Sequence, residues 1–555
     1  TGLVGVAHYH FLYVTSRVIK RLCPCNTGGT MPQLQAFNLC YQHGNGDVVF
    51  NDLSFSLTAK VTALVGRNGC GKSILASILA KQKEPSSGKV VCHSTLGFYK
   101  QMNDVNKVEN LTIAEAIGLE PVFKALHAIN QGQVTEQNLS LLEGNWDLEE
   151  RFNAELVRLG INNKTPNSLS KHLSGGQLSQ LKLWALFTCI KPDILILDEP
   201  SNHLDTKGKS RLIKQIHNFK GQLLLISHDQ ELLEQANEVW ELTTLGLTQY
   251  GMHFSEYQIQ KQQQVAALEN KLNHVVKQQS KLKAAEQLQK QKAQKRAGQG
   301  AALRKSGSQP KVLIDAKKDK ASANLSSQSK NTAKREGELT RNKQELSSQL
   351  EQTKAQQFYL AQSGDAKHQK VLSLENVVLA HGTQKPLNLQ VFSDDKIHVA
   401  GANGTGKSTL LKTLTYDIPV KAGQLHCNQA LYYLDQHFTL INNKLTLLEN
   451  VMTYCNNLNE STARTLLASI GFRKDAVFKH AAVLSGGEKM KLAMCIVSNI
   501  ESTAFLLLDE PDNHLDLESK QHLAQSLQGF KGGFILVSHD KYFVESIGCN
   551  RQIGL

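Results

Sequence analysis

Two glycine-rich segments contain the residue types that hold a phosphate chain. The first spans 66–73 with the sequence GRNGCGKS, and the second spans 401–408 with the sequence GANGTGKS. Each lies between a short apolar run and an apolar helical pattern, so backbone N–H groups and a helix N-terminus would face the phosphates. The predicted nucleotide-binding residues are Gly66, Asn68, Gly69, Gly71, Lys72, Ser73 and Ile74 in the first segment and Gly401, Asn403, Gly404, Gly406, Lys407, Ser408 and Thr409 in the second. In this pattern the lysine reaches the β- and γ-phosphates and the serine ligates Mg²⁺.

Two pairs of acidic residues follow four-residue apolar runs, as they would at the carboxyl edge of a central parallel strand. These pairs are Asp198-Glu199 and Asp509-Glu510. The aspartates are expected to hold Mg²⁺, and the glutamates are expected to polarise the water that attacks the γ-phosphate. The alternative is that these acids merely cap the helix that follows. Recurrence of the pair beside each glycine-rich segment favours the catalytic interpretation.

A histidine ends a further buried strand in each half of the chain. His228 follows the run 223–226, and His539 follows the run 534–537. A neutral imidazole at this place can donate a hydrogen bond to the γ-phosphate and respond to its loss. A single strand-end histidine is more often structural, but the repeat favours a catalytic role for both.

These motifs belong to an internal repeat, which organises the whole chain. Gly66 and Gly401 are 335 residues apart, whereas Ser174 and Ser485, Asp198 and Asp509, and His228 and His539 are each 311 apart. The first unit therefore carries 24 more residues than the second between its phosphate segment and Ser174. A chain of 555 residues is also too long for one hydrophobic core. We predict two α/β domains, each with a mixed sheet, flanking helices and a helical subdomain.

The segments Leu173-Ser174-Gly175-Gly176 and Leu484-Ser485-Gly486-Gly487 complete a resemblance to the ATP-binding-cassette superfamily. The resemblance implies an ATP hydrolase, which converts ATP and water to ADP and phosphate with Mg²⁺. It also implies that the cassettes pair head to tail within one monomer. Ser174, Gly175 and Gly176 would then complete the site of Lys407, and Ser485, Gly486 and Gly487 would complete that of Lys72.

The same resemblance assigns three further residues, and it shows where the two sites differ. Gln101 and Gln436 correspond to the glutamine that contacts nucleotide and Mg²⁺, and Tyr41 corresponds to the aromatic residue that stacks on adenine. Leu379 stands opposite Tyr41 in the second cassette. The first signature lacks the basic residue that Lys491 supplies after the second. The two sites are therefore expected to be unequal.

The residues after the catalytic acids narrow the resemblance to the ABC-F subfamily. They read Ser201-Asn202-His203-Leu204-Asp205 and Asp512-Asn513-His514-Leu515-Asp516. The subfamily implies a cytoplasmic translation factor without membrane domains. Such a factor binds the ribosome in its ATP-closed state and leaves after hydrolysis. An arm inserted within about 108–168, where the extra 24 residues fall, and a basic linker would contact rRNA and tRNA.

The net charge of +13 is concentrated between the cassettes. Residues 261–370 hold 23 Lys and Arg against 9 Asp and Glu, and the rest of the chain holds 39 against 40. Residues 258–357 contain no aromatic residue and one proline, Pro310, while apolar residues recur at helical spacing on both sides of 300–330. We predict a coiled-coil hairpin of two antiparallel helices of about 35 residues, or about 50 Å each, with a lysine-rich tip. The alternative is a solvated charge run that only keeps the linker extended.

The predicted domains are an N-terminal extension at 1–30, a first cassette at 31–255, a basic linker at 256–369 and a second cassette at 370–555. Met31 is the expected natural start. The ten scattered cysteines are expected to be reduced, and no apolar stretch reaches membrane-spanning length. Two other functions stay open. One is the energising subunit of a separate membrane transporter, and the other is an ATPase that acts on branched or single-stranded DNA.

Overall fold

A computed structural model describes residues 34–44, 46–100, 110–142, 144–202, 204–306, 330–347, 349, 368–435, 438–455, 458–500, 505–513 and 515–555. The described residues divide into two compact units. One unit comes from Thr1–Ser255 and Gln356–Leu555, and the other from Glu256–Ala355. The predicted extension at 1–30 and the glutamines Gln101 and Gln436 lie outside the described residues.

The first cassette alternates strands and helices along the chain. Its strands are β1 (Leu34–Gln42), β2 (Val48–Leu57), β3 (Val61–Val65), β4 (Ser87–Cys92), β5 (Leu96–Tyr99), β6 (Ile194–Asp198), β7 (Gln222–Ile226), β8 (Glu238–Thr243) and β9 (Gly246–Tyr250). Its helices are α1 (Lys72–Leu79), α2 (Ile113–Ala116), α3 (Glu120–Asn130), α4 (Glu136–Leu142), α5 (Leu148–Arg158), α6 (Gly175–Trp184), α7 (Thr206–Asn218) and α8 (Gln230–Leu233). This order confirms the predicted α/β class.

The main sheet of the first cassette has the strand order β5-β6-β7-β3-β8-β9, and β2-β1-β4 form a second sheet. Strands β5, β6, β7, β3 and β8 pair in parallel, and β9 returns antiparallel to β8. Every residue of β3, β6 and β7 is buried, which explains their continuous apolar runs. The parallel arrangement places the carboxyl ends of β3, β6 and β7 at one edge, where the chemical motifs follow.

A long helix, α9 (Phe254–Ser306), begins after β9 and extends into the second compact unit. It spans 53 residues, or about 80 Å, so the expectation of about 35 residues was too short. The helix continues through Gly298, because glycine costs only about 1 kcal/mol relative to alanine and the surrounding Ala, Gln and Lys residues favour a helix.

Residues 330–347 are also helical, and they contact α9. Gln279 Nε2 donates to Thr340 Oγ1 at 3.2 Å, and Lys283 Nζ lies 3.7 Å from Glu336 Oε1. The later residue on α9 contacts the earlier residue on the other stretch, which is the order of antiparallel segments. Coiled-coil packing stays a prediction, and the expected tip at 307–329 lies outside the described residues.

The second cassette repeats the plan of the first with fewer helices. Its strands are β10 (Lys370–Val378), β11 (Leu387–Phe392), β12 (Lys396–Ala400), β13 (Ala422–Cys427), β14 (Leu431–Leu434), β15 (Phe505–Asp509), β16 (Phe534–Val537) and β17 (Arg551–Gly554). Its helices are α10 (Lys407–Leu414), α11 (Leu447–Tyr454), α12 (Glu460–Ser469), α13 (Gly486–Ser498), α14 (Leu517–Gln528) and α15 (Lys541–Ile547). The sheets have the orders β14-β15-β16-β12-β17 and β11-β10-β13.

The extra helices of the first cassette fall where its sequence is longer. Among the described residues, four α-helices, α2 to α5, lie between β5 and α6, whereas two, α11 and α12, lie between β14 and α13. Phe123, Phe152 and Trp184 form the aromatic centre of this part, with ring centroids 5.3 and 6.2 Å apart in successive pairs. The helices of the insertion therefore share one packed core with the signature helix α6. Its assignment as an arm that contacts a partner stays a prediction.

Candidate functional site

Both glycine-rich segments form loops between a buried strand and a helix. Gly71 and Gly406 precede α1 and α10 with φ of 96° and 99°, a left-handed conformation that favours glycine. A Cβ at Gly71 would lie 2.5 Å from Val49 Cγ1, so the loop also needs the absence of a side chain. The predicted residues Ile74 and Thr409 lie in the first turns of these helices. Each loop thus presents N–H groups at a helix N-terminus, the arrangement that suits a phosphate.

The two loop lysines have the same environment. Lys72 Nζ donates to the carbonyls of Gly66 at 2.7 Å and Arg67 at 3.0 Å, and Lys407 Nζ donates to those of Gly401 at 3.0 Å and Ala402 at 2.9 Å. Both lysines are buried. These contacts hold each ammonium within its own loop. A phosphate oxygen could therefore accept from the same ammonium group in place of the carbonyls with little movement of the lysine.

The predicted metal-binding residues meet at each strand edge. Ser73 Oγ donates to Asp198 Oδ1 at 3.2 Å, and Ser408 is close enough to Asp509 to oppose the rise of that carboxyl's pKa. Burial raises the pKa of both aspartates. Asp509 Oδ1 is buried and has no hydrogen-bond partner among the described residues. A hydroxyl beside a carboxylate with a spare oxygen is a donor set that fits Mg²⁺.

The second cassette adds a tyrosine to this arrangement. Tyr433 Oη donates to Asp509 Oδ2 at 2.9 Å, whereas Phe98 occupies the equivalent position in the first cassette. Burial is the largest of the effects that raise the pKa of Tyr433, so its hydroxyl stays protonated and acts as the donor. Asp198 and Asp509 would both hold Mg²⁺, but the Asp509 carboxylate also accepts a hydrogen bond from a tyrosine.

Each predicted catalytic glutamate has an unusual backbone conformation. Glu199 and Glu510 have φ of 51° and 50°, and their N–H groups donate to the carbonyls of Ile226 and Val537, both at 2.8 Å. A left-handed glutamate costs energy and recurs at functional sites. Burial raises the pKa of both glutamates to about 7. A carboxylate with this pKa can accept a proton from water near neutral pH.

The two histidines lie beside these glutamates. His228 Nε2 is 3.5 Å from Glu199 Oε1 and 3.1 Å from Asn68 Oδ1, and His539 Nε2 is 3.7 Å from Glu510 Oε1. Burial lowers the pKa of His228 well below its usual value and that of His539 to about 4. Both imidazoles are therefore neutral at physiological pH, as a hydrogen-bond reporter of a phosphate requires.

The two signature serines begin helices with the same cap. The Ser174 hydroxyl accepts from the Gln177 N–H, and that of Ser485 accepts from the Glu488 N–H, while each N3 side chain accepts from the serine N–H. Ser174, Gly175 and Ser485 are exposed, whereas Gly176 is buried and Gly486 and Gly487 are partly buried. Each signature thus offers a hydroxyl at the positive end of a helix.

One cavity of about 450 Å³ unites the first loop with residues of the second cassette. It is lined by Asn68, Gly69, Gly71, Lys72, Ser73, Ile74, Asp198, Glu199 and His228 of the first cassette and by Ser485, Gly486, Glu510 and His539 of the second, among others. The predicted head-to-tail partners of Lys72 therefore lie around the same space as Lys72. Ser174, Gly175, Gly176 and Lys407 do not line this cavity.

Contacts between the cassettes surround this cavity. The Asn68 N–H donates to Asp516 Oδ2 at 3.3 Å, and Arg67 Nε lies 3.7 Å from Glu518 Oε2. Burial lowers the pKa of Lys407, and Asp205 of the first cassette is close enough to oppose part of that shift. Asp516, the N-cap of α14, thus lies near the first phosphate loop. Asp205, the N-cap of α7, lies near Lys407 of the second loop.

Tyr41, the residue predicted to stack on adenine, lies among other aromatic side chains. Tyr41 is only 9% exposed, and its ring packs 6.2 Å from Phe50 and 5.5 Å from His43. His43, rather than Tyr41, lines the cavity. Leu379 is fully buried, with its Cδ1 3.2 Å from where a Gly406 Cβ would lie. Stacking of adenine on Tyr41 stays a prediction.

The cavity-lining residues that sequence reasoning did not assign to the site include His43, Lys209, Asp512 and Lys520. Lys209 and Lys520 are 311 residues apart, so the repeat spacing could have found them. Asp512 is equivalent to Ser201 of the first cassette. Because the two residues differ in type, the repeat spacing does not single out this position. The motif histidines His203 and His514 lie outside the described residues.

The basic residue missing after the first signature is supplied from another helix. Arg158 Nη2 of α5 donates to Gln180 Oε1 at 3.3 Å, and Lys491 occupies the equivalent position of the second cassette. Arg158 also pairs with the buried Glu155, which Arg211 of α7 contacts at 2.9 Å. The insertion is thereby tied to the helix that follows the Asp-Glu strand.

Fold and site together define a tandem ATP-binding-cassette ATPase. The ABC transporter family matches residues 50–202 and 384–513, each range holding one phosphate loop and one Asp-Glu strand. The chain belongs to this family, and within it to the ABC-F subfamily. Proteins with these domains bind ATP with Mg²⁺ and hydrolyse it. In the described part of the chain no helix is long and apolar enough to cross a bilayer.

Three relatives are similar to the chain over most of its length, and the name of one of them includes the F family. The putative ATP-binding protein YdiF of Bacillus subtilis (strain 168) is 29% identical, covering 90% of this chain and 77% of the relative. ATP-binding protein Uup of Escherichia coli (strain K12) is 27% identical, covering 87% and 74%. ABC transporter F family member 5 of Arabidopsis thaliana is 28% identical, covering 92% and 73%.

A solved structure has the same fold at low sequence identity. It is the archaeal ribosome recycling factor aABCE1 in complex with the ribosomal stalk protein aP1, with a TM-score of 0.53 and 16% identity over 93% of this chain and 87% of that one. The likeness shows that this order of two cassettes forms a known tandem fold.

Proposed function

We propose that this chain is a cytoplasmic ATP-driven translation factor that binds the ribosome with ATP clamped between its cassettes and leaves after hydrolysis. The observation that carries the proposal is the cavity shared by Lys72, Glu199 and His228 of the first cassette with Ser485 and Gly486 of the second. A γ-phosphate there would touch both cassettes, so its removal would weaken the contact between them.

In the first composite site, the N–H groups after Gly66 and the Lys72 ammonium hold the phosphates. Ser73 and Asp198 would hold Mg²⁺, and the bound ion would supply positive charge against the phosphates. Glu199 accepts a proton from the attacking water, and neutral His228 donates to the γ-phosphate. The Ser485 hydroxyl and the N-terminus of α13 stabilise the same phosphate from the opposite side.

The second composite site uses the equivalent residues. Lys407, Ser408, Asp509, Glu510 and His539 have the roles of their first-cassette counterparts. Ser174, Gly175 and Gly176 complete this site from the first cassette, and Gln101 and Gln436 contact nucleotide and Mg²⁺ in their respective sites. Proximity of Asp205 to Lys407 supports this pairing.

The ribosome is the proposed partner because the positive charge of the chain lies in the linker. Within 261–370 the excess of Lys and Arg over Asp and Glu is 23 to 9. Phosphate contacts from such a segment release counterions and give binding that weakens with salt. The linker and the insertion at 108–168 would contact rRNA and tRNA. The tandem cassette protein aABCE1 is a ribosome recycling factor, which supports a ribosomal partner for this fold.

The test is cosedimentation with ribosomes in ATP. Glu199→Gln combined with Glu510→Gln should keep ATP bound without hydrolysis, so we expect this variant to be enriched on ribosomes relative to wild type. Lys72→Ala combined with Lys407→Ala is the matched control, because it should lose the clamp and stay unbound. Equal sedimentation of all three proteins would overturn the proposal.

Competition with nucleic acids separates the ribosome from the other partners. At matched salt, intact ribosomes should displace labelled ribosome from the trapped variant more effectively than single-stranded or branched DNA of equal phosphate concentration. Equal competition would indicate non-specific charge and would favour a DNA-directed ATPase. Copurification of the wild-type chain with a membrane subunit would favour the transporter function.

A further inference from the structure

Two lysines outside the known motifs are buried at the contact between the cassettes. Lys209 lies in α7 and Lys520 lies in α14, at equivalent positions of the repeat, and both line the shared cavity. Their side chains are only 8% and 12% exposed. An ammonium is buried at this depth only when charged or polar groups satisfy it. The partners of each lysine therefore indicate what it does.

Lys209 joins the two histidine loops. Its ammonium forms an ion pair with Asp229, the residue after His228 in its own cassette. It also donates to the main-chain carbonyl of His539 in the other cassette at 3.1 Å. One cation thus connects the loop of the first histidine to the backbone of the second, across 330 residues of sequence.

Lys520 is held differently. Its ammonium lies 2.9 Å from Asp540 Oδ2 and 4.0 Å from Asp512 Oδ2, and both carboxylates belong to its own cassette. The first cassette has Ser201 at the position of Asp512, and a neutral hydroxyl cannot compete for an ammonium as a carboxylate does. Lys520 lies within electrostatic range of Glu199, His228 and Asp229 of the first cassette. Its direct contacts among the described residues are with carboxylates of its own cassette, whereas Lys209 also contacts the backbone of the other cassette.

The contact of Lys209 controls a residue next to the predicted chemistry. His539 Nε2 lies 3.7 Å from Glu510 Oε1, so a shift of the His539 backbone would move the imidazole relative to the catalytic carboxylate. Displacements of about 1 Å are enough to slow a reaction by orders of magnitude. Lys209 touches neither Glu510 nor the imidazole, and its contact is with the main chain.

We infer that Lys209 is a positioning residue of the second ATP site, through which the first cassette sets the place of His539. The inference rests on the proposed hydrolysis at this site and is independent of any ribosomal role. ATP-driven movement of α7 would then act directly on the second site through the hydrogen bond to the His539 carbonyl. Lys520 makes no equivalent contact with the His228 carbonyl among the described residues.

The experiment compares Lys209→Met in two backgrounds, each with one site silenced. With Glu199→Gln present, turnover comes from the second site, and Lys209→Met should lower kcat on the order of tenfold with little change in KM. With Glu510→Gln present, turnover comes from the first site, and the loss should be under about threefold. Lys209→Arg should restore most of the second-site rate. Lys214→Met, an exposed lysine of the same helix, is the matched control.

Two further variants keep the inference falsifiable. Asp229→Asn removes the carboxylate that holds Lys209 but keeps an oxygen for the α8 cap, so it should lower second-site kcat in the same direction. Lys520→Met should not reproduce the site preference of Lys209→Met. Thermal melting checks that each variant is folded, and if Lys209→Met fails to fold, Asp229→Asn and Lys209→Arg decide the question.

The inference would be overturned if Lys209→Met lowered kcat equally in both backgrounds or left the second-site rate unchanged. It would also be overturned if Lys520→Met lowered the second-site rate selectively, as Lys209→Met is expected to do. A wild-type chain without ATPase activity would instead refute the proposed function. The two failures are therefore distinguishable in one set of measurements.

Discussion

The two cassettes have the same catalytic parts but surround them differently. Lys72 and Lys407 hold matching loop carbonyls, and Glu199 and Glu510 share one strained backbone conformation and a pKa raised to about 7. These features are fixed by local loop geometry, which the repeat preserved. The side chains around these catalytic residues come from other helices and strands, and several of them differ between the two cassettes.

Three substitutions carry most of the divergence. Tyr433 stands for Phe98 and binds the second metal-site aspartate, Asp512 stands for Ser201 and holds Lys520, and Ala402 stands for Arg67, which pairs with Glu518. Each change lies beside the nucleotide site and leaves the catalytic residues unchanged. The two sites can therefore perform one reaction at different rates and with different requirements.

The largest effects should come from the catalytic glutamates, tested one at a time. Glu199→Gln and Glu510→Gln should each abolish turnover at one site, with at least about a hundredfold loss there, because an amide cannot accept the proton of water. The residual rate of each variant then reports the other site. Steady-state ATPase assays measure both, and circular dichroism checks that the fold is kept. Residual rates near wild type in both variants would show that neither glutamate is the base.

A smaller effect should appear in stability as a function of pH. The folded pKa of each glutamate, about 7, exceeds the usual 4.5, so the folded protein binds more protons between these values. The contribution of each glutamate to stability should therefore fall as pH rises from about 4.5 to about 7, by on the order of 1–3 kcal/mol for each group. The lowered pKa values of His228 and His539 act in the opposite direction, so the glutamate contribution is measured by comparison with variants. Urea unfolding at pH 5 and pH 7.5 measures the change in nucleotide-free protein.

The matched glutamine variants isolate this contribution, since glutamine does not titrate. Wild type should lose more stability than Glu199→Gln or Glu510→Gln over the same pH interval, and the double variant should differ most. Parallel pH profiles for wild type and all variants would contradict the raised pKa values. Unequal single variants would locate the more strongly buried glutamate.

Exchanging Tyr433 and Phe98 between the two sites should change the Mg²⁺ concentration that each site requires. Tyr433→Phe removes a donor that competes for Asp509 Oδ2, so half-saturating Mg²⁺ at the second site should fall about two- to fivefold, since a hydrogen bond to a charged group contributes about 1.5 kcal/mol or more. Phe98→Tyr should raise the requirement at the first site. Mg²⁺ titrations in the single Glu→Gln backgrounds measure each site separately, and a shift of both sites by either change would sink this explanation.

The smallest effect should come from the charged contact beside the first loop. Arg67 and Glu518 are 3.7 Å apart and each about one-third exposed, so solvent screens them and the pair contributes at most about 1 kcal/mol. Arg67→Ala should raise KM for ATP at the first site about twofold and lose this effect in high salt. Lys207→Ala, at the position equivalent to Glu518 in the repeat, is the control and should leave KM unchanged.

Sequence patterns predicted the elements of each cassette closely because these patterns are local. The apolar runs 61–65 and 194–197 became β3 and most of β6, and the loop, helix and acidic pair followed in the expected order. Long-range partners were less accessible. Lys209 belongs to no local motif, and Tyr433 resembles an ordinary strand residue. The linker helix exceeds its predicted length because a single glycine does not end a helix among strong helix formers.

What the sequence determined by itself was the presence of two phosphate loops, two acidic strand ends and two strand-end histidines, since each depends on a few neighbouring residues. The resemblance to a known family anticipated Ser485 beside the cavity of Lys72. Only the tertiary structure showed that Lys209 contacts the carbonyl of His539. The physical reason is distance along the sequence. Contacts between residues hundreds of positions apart depend on how whole elements pack, and no local spacing encodes that packing.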